Sequence, residues 1–298
     1  MIRLGLCCKF IEEPIKFRTT TVAYLKRCSD PFDFLNALVG DNIKALDLAV
    51  DYCHQNGIGS FRIVSDFMPA ATHPDFLYSI KDLPDGKKYT KALKAIGKKA
   101  QDYNLRFSFH PDQFVVLSTP KEEVLQKSIQ DIESHTELAL LVGADTINIH
   151  GGGAYGDKES ALNRFKENFK QLSKEAQKRL TVENDDKVYT PEDLLPICSA
   201  LNIPLVYDVH HHRCLKDSLS IEEATKKALA TWDREPLFHI SSPLEGWKGP
   251  KPFRHHDYID IEDFPKNWLK IKNFTLEVEA KAKEKAVTQL LRQLENFC

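Results

Sequence analysis

Eight short runs rich in Val, Ile, Leu, Phe and Thr recur along the chain, alternating with stretches of helical spacing. That alternation is what most constrains the fold. The runs lie at residues 2–7, 60–65, 106–110, 146–150, 180–184, 204–210, 237–242 and 273–280. Apolar runs of this length suit parallel strands covered on both faces. Over residues 41–56, Ile43, Leu46, Val50 and Cys53 share one helical face, and Gly57 follows as a stop. Val124, Leu125, Ile129, Ile132, Leu138 and Leu141 make a second such face, bounded by Pro120 and Gly143. Helical spacing continues over 161–178, 191–200, 221–230 and 281–296. Eight strand-then-helix units in 298 residues read as a single-domain α/β chain, a (β/α)8 TIM barrel over 1–298. A doubly wound open sheet satisfies the same alternation. Two connections are long, 66–90 and 243–272, and long loops at a catalytic face usually carry function.

Charge and cysteine content narrow the function classes. Lys plus Arg is 41 against 43 for Asp plus Glu, a net charge of −2. This excludes a basic nucleic-acid coat and an acidic tail, though not a local basic groove. No apolar stretch reaches the roughly 18 residues of a membrane span. The opening MIRLGLCCKF lacks a secretory pattern. Seven cysteines, odd in number and with no C-x-x-C pair, speak against a zinc knuckle or a thioredoxin motif. Free thiols in a reducing cytoplasm are the expectation.

The histidines carry the most chemical information. Nine of the 11 fall at the end of a strand run or in the loop after it: His73, His110, His150, His210, His211, His212, His239, His255 and His256. His54 and His135 sit within helical stretches and read as structural. Active sites of barrels form at the C-terminal face of the strands, so independent strands deliver imidazoles to one rim. Carboxylates arrive with them. Glu183 ends LTVEN, Asp208 lies in VYDVHH and Glu279 ends LEVE. One histidine at a strand end is more often a hydrogen-bonded structural residue. Strands three, four, five and seven all ending in His or Glu is a donor inventory for divalent transition metals. It exceeds what one tetrahedral ion uses, so two or three ions are expected, with Glu183 best placed as a bridge. Asp208 and His210 share a side by strand alternation, and His211 follows where it can reach a different ion. Gly151–Gly153 and Gly156 after His150 lack the Lys of a nucleotide loop. They read either as backbone hugging a metal or phosphate, or as a flexible connection. Gln113 and Phe114 after His110 read either as a wedge for a stacked base or as a packed rim element.

Together these segments resemble the UV damage endonuclease family. The matching stretches are ATHPDF (71–76), FHPDQF (109–114), HGGGAYGDK (150–158), VENDD (182–186), DVHH (208–211), FHISS (238–242), HHDYID (255–260) and VEAKAKE (278–284). They cover almost the whole chain in order, and HGGGAYGDK, VENDD and VEAKAKE are specific together. The family's site layout is similar to that of endonuclease IV.

The resemblance implies a DNA repair barrel that nicks the backbone immediately 5′ of a UV photoproduct in double-stranded DNA. His110, His150 and Glu183 then look like ligands of one ion; Glu183, Asp208, His239 and Glu279 look like the shell of a second. His211, His255 and Asp257 look like a third. His73 and Lys281 look like groups near the scissile phosphate, with Gln113, Phe114 and Tyr155 on the DNA. Manganese is the expected ion, with zinc or magnesium as alternatives. No membrane or protein partner is indicated. Three departures stand out. Phe114 replaces a tyrosine, Leu6 an aromatic that lines the DNA site, and Leu237 a lysine that can support the metals. The competing readings are a sugar isomerase-like barrel acting on a small molecule, and a non-catalytic damage binder.

Overall fold

The computed structural model describes residues 2–296. Eight parallel strands close on themselves: β1 (Ile2–Cys7), β2 (Ser60–Ile63), β3 (Arg106–Phe109), β4 (Thr146–His150), β5 (Leu180–Glu183), β6 (Leu205–Asp208), β7 (Leu237–Ile240) and β8 (Phe274–Val278). The pairing of β1 with β8, from Ile2↔Phe274 to Leu6↔Val278, closes the barrel and excludes the open sheet. Most runs are strands over a shorter span than the apolar pattern suggested. The sheet hydrogen bonding stops where the donor-bearing ends turn into loops.

Alternation sorts the strand residues into two sets. Leu4, Leu6, Phe61, Phe107, Ile147, Val182, Leu205, Phe238 and Leu276 belong to the hydrophobic core shared with the helices. The residues between them are mostly polar: Ser60, Arg62, Ser108, Asn148, Thr181, Glu183, Asp208, His239 and Glu277. Ser108 on β3 donates to Glu277 on β8, a contact that crosses the barrel lumen. Barrel lumens are commonly filled by branched apolar residues. This one is filled by a hydrogen-bonded polar set, with Leu237 and Val206 as buried apolar members outside the main core.

Helix ends follow local chemistry. Asp30 caps the helix Pro31–Gln55 with Pro31 in its first turn, so it begins well before residue 41. Thr190–Asp193 and Ser220–Glu223 form capping boxes at Pro191–Leu201 and Ile221–Leu229. Gly143 ends Glu122–Val142 at φ +77°, a left-handed position that suits glycine. The stretch 161–178 is two helices, Lys158–Phe169 and Lys174–Arg179, because Ser173 caps a second start. The helix of 281–296 begins at Lys283. A helix at Gly86–Asp102 closes the first long connection.

The N-terminal face is clasped by ion pairs. Arg3 on β1 holds Glu235, just before β7, through Nε at 2.7 Å and Nη2 at 3.1 Å. Thr275 on β8 donates to the same carboxylate at 2.6 Å, and Arg106 on β3 donates to Thr275 at 3.0 Å. The opposite face bears the second long connection. There an isolated Pro243↔His255 bridge folds residues 243–255 back on themselves. His256 N then donates to Ser242 at 2.8 Å and Lys281 N to His256 O at 3.1 Å, tying the loop to β7 and to the segment after β8. No helix among the described residues is long and apolar enough to cross a membrane.

Candidate metal centre

The parallel register brings the donors to one level. His150 pairs with Glu183 across β4 and β5, and Asp208 with His239 across β6 and β7. His110 follows the end of β3 and Glu279 follows the end of β8. Six consecutive strands thus present one donor each at the C-terminal rim.

Glu183 sits between two groups. Its Oε2 lies 2.9 Å from His110 Nε2, and its Oε1 lies 3.0 Å from His239 Nδ1. Donor atoms of His110, His150 and Glu183 lie within 4.8 Å of one another, as do those of Glu183, Asp208 and His239. Asn148 also donates to Glu183 and is itself fixed by Thr181 Oγ1 at 3.0 Å. Two buried atoms in these groups have no hydrogen-bond partner: His150 Nδ1 and Asp208 Oδ2. Buried polar atoms are nearly always paired. Unpaired ones converging with imidazoles and carboxylates are the donor chemistry of manganese, zinc or iron. The residues therefore fit divalent ions.

Electrostatics hold the Glu183 and Glu279 carboxylates ionised. Burial pushes the Glu183 carboxyl up, but His239 and His150 beside it and the His110 and His211 contacts outweigh that and hold it well below the usual range. Burial likewise raises Glu279, and the Arg62 guanidinium and His239 pull it well below. His239 and His211 sit well above the ordinary histidine value: burial lowers each, and the surrounding carboxylates more than reverse it. Burial lowers His150.

The histidine run after β6 splits in role. Residues Val209–Cys214 form a short helix capped by Asp208, whose Oδ1 accepts from His211 N at 2.8 Å. His211 Nδ1 faces Asn184 O at 3.0 Å and lies 3.5 Å from Glu183 Oε1. Its ring lies 5.9 Å from that of His150 and 6.3 Å from that of His255. His255 arrives from the folded-back loop, with Nδ1 3.2 Å from Ser241 Oγ and 3.9 Å from Glu279 Oε2. His212 points elsewhere, to Tyr207 and Asp217. His135 and His54 are held in their helices, by Asp131 O and by stacking on Tyr103.

Other expected site residues line the rim without joining the donor groups. Among the described residues, the His73 side chain contacts Asp75 and Phe76 of its own loop. Asp257 and Lys281 are exposed, and their stretches are linked through backbone bonds to Ala282 and His256. Gln113 is exposed and Phe114 is 76 % exposed, on a turn made by Asp112 Oδ1 accepting from Phe114 N at 3.1 Å. That exposure excludes the packed-rim reading of Phe114. Tyr155 is half exposed at φ +52°, with the Arg164 guanidinium 5.8 Å from its ring. The glycine loop is tied down rather than loose. Gly152 has φ +86°, and an added Cβ would lie 2.4 Å from Ser118 Oγ. Leu6 does not line a DNA surface. It is fully buried in the core between Phe61 and Val278, because its strand position faces the helices. The six described cysteines are free; Cys298 lies outside the described residues.

Arg62 and Glu277 were not anticipated. Arg62 Nη1 lies 2.6 Å from Glu279 and 3.3 Å from Glu277, supplying a cation beneath the donors. Strand alternation carried the signal, since Glu277 precedes Glu279 by two and shares its side.

A parallel barrel with imidazoles and carboxylates converging at its C-terminal mouth defines an enzyme scaffold of the metal-site class. The sequence comparisons narrow this. A family profile described as UV-endonuclease UvdE matches residues 2–298. The UV DNA damage endonuclease of Bacillus cereus (strain B4264) is 36 % identical over 291 residues, covering 93 % of this chain and 89 % of that protein. The crystal structure of SacUVDE matches with TM-score 0.90 at 29 % identity, over 100 % of this chain and 99 % of that one. Endonuclease IV from Thermus thermophilus shares the fold at TM-score 0.63 and 16 % identity, over 99 % and 98 % of the two chains. The chain belongs to the UV-endonuclease family and is a DNA repair endonuclease by that membership.

Proposed function

We propose that this protein is a metal-dependent endonuclease that cuts DNA immediately 5′ of a UV photoproduct, leaving a 3′-hydroxyl and a 5′-phosphate. The observation that carries the metal dependence is the single Glu183 carboxylate shared by two donor groups. His110, His150 and Glu183 would hold one divalent ion. Glu183, Asp208, His239 and Glu279 would hold a second, and His211, His255 and Asp257 a third; manganese is the ion proposed. Bound ions of this kind lower the pKa of a water toward neutrality and neutralise charge on the phosphoryl oxygens.

The protein's own groups do the rest. Glu183 stays ionised and, with Asp208, fixes the donor spacing. His73 and Lys281 face the backbone of the cut strand, and Gln113, Phe114 and Tyr155 meet the duplex. A damaged step is poorly stacked and opens at lower cost than an intact one. Photoproduct specificity rests on the relatives' named activity and on the exposed Gln113–Phe114 pair. Membership of an endonuclease family favours damaged double-stranded DNA over a small-molecule substrate. A cytoplasmic setting agrees with the free cysteines.

The test is incubation with Mn²⁺ and an end-labelled duplex bearing one defined photoproduct. A nick directly 5′ of the lesion is expected. Absence of any nick on damaged duplexes, with metal bound, overturns the proposal.

A further inference from the structure

The side of His239 turned away from Glu183 has no assigned purpose. Its Nδ1 faces Glu183 and Glu279, at 3.0 and 3.4 Å. Its Nε2 is buried, makes no straight hydrogen bond, and lies 3.1 Å from Glu277 Oε2. Glu277 is 1 % exposed and belongs to neither donor group. It is anchored in the lumen by Ser108 Oγ and by Arg62 Nη1 at 3.3 Å.

We propose that Glu277 is a positioning residue for the metal ligand His239. Its carboxylate accepts a hydrogen bond from Nε2–H, so that Nδ1 is left with its lone pair for the ion that Glu183 and Asp208 would share. The argument is one of tautomers. An imidazole that ligates through Nδ1 carries its proton on Nε2, and a buried N–H without an acceptor is strongly disfavoured. Glu277 is the acceptor in reach. A carboxylate behind a ligating histidine fixes ring orientation and raises ligand basicity. Arg62 completes the device. It neutralises the carboxylate that would otherwise repel Glu279. Glu277 faces Nε2 while Glu183 and Glu279 face Nδ1, so it does not compete for the same ion.

The inference rests on the metal reading above, and its test separates the two. Wild type, Glu277→Gln, Glu277→Met and Ser108→Ala are dialysed against graded Mn²⁺ and their metal content is measured. Co²⁺-loaded samples are compared by visible absorption, and circular dichroism checks the fold. Partners behind ligating histidines are worth about 10–100-fold in metal affinity. Glu277→Met should lose roughly that for one ion only, leaving the His110–His150 ion in place. Glu277→Gln, which keeps an acceptor, should lose less, and Ser108→Ala, which only loosens Glu277, less again. The Co²⁺ spectrum should change in the same order. Unaltered affinity and spectrum in folded Glu277→Met and Ser108→Ala overturn the positioning role while the metal reading stands. A wild type that takes up no ion overturns both.

Discussion

Glu183 is 1 % exposed, and its two oxygens face different histidines, so replacing it tests both donor groups together. Glu183→Gln keeps the shape and removes the charge. Metal content should fall, and cleavage should drop on the order of a hundredfold or more, since even the partners of ligands are worth 10–100-fold. Circular dichroism should be unchanged, and full activity would remove Glu183 from the centre. Phe114 tests a different property. At 76 % exposure its ring is open to stack on a partner. Base–aromatic stacking is worth about 1–3 kcal/mol, so Phe114→Ala should weaken damaged-DNA binding roughly ten- to a hundredfold. Metal content and binding to intact duplex should barely move, because the latter rests on phosphate contacts. An unaltered damaged-to-intact affinity ratio would end the lesion-reading role.

Among the elements, the clasp under the barrel offers a pH test away from the donors. Burial raises the Glu235 carboxyl, but Arg3 and Thr275 outweigh it and hold the pKa below the ordinary glutamate value. A lowered folded-state pKa stabilises above about pH 4.5, and that contribution is lost as pH falls through the lowered value. Glu235→Gln should therefore lower stability at pH 7 by about 1 kcal/mol, the modest figure reflecting a partly exposed, water-screened pair. Urea midpoints of variant and wild type should converge in acid; a gap that persists there would assign the effect to packing. The same scale shows what was legible beforehand. The strands and their donor tips could be read because apolar runs and a strand's two-residue period are local properties. Closure into a barrel is read from the count of eight units and the family resemblance rather than from alternation, since β1 meets β8 only in space. Alternation puts Glu277 on the side of Glu279, but its pairing with Arg62 was not legible. A charge inside a strand looks exposed until its partner is known, and these two partners come from opposite ends of the chain, on β2 and β8. The split of 161–178 into two helices escaped notice because Ser173 as a cap outweighs a continuing apolar face.

The whole molecule gathers Glu183, Asp208, Glu277 and Glu279 at one mouth, where the Arg62 guanidinium beside Glu277 and Glu279 and the imidazoles beside Glu183 offset only part of their charge. Ions that bind only the folded chain stabilise it by mass action, about 2.7 kcal/mol at a hundredfold excess over Kd. Mn²⁺ should raise the melting temperature of chelator-treated protein by several degrees, and the chelator should reverse it. Calorimetry showing no shift at saturating Mn²⁺ would mean that no ion is held by the native fold. The bridge between Pro243 and His255 has a separate consequence. It makes residues 244–254 a closed excursion whose two feet stand at a fixed separation. Changes in the length of that excursion are absorbed at its tip, leaving His255 on station. The donors carried by strands are spaced by the hydrogen-bond ladder, whereas His255 is spaced by this bridge and by the bonds from His256 to Ser242 and Lys281. The mouth of the barrel can thus be resculpted for differently shaped duplexes without re-engineering the inner ligands.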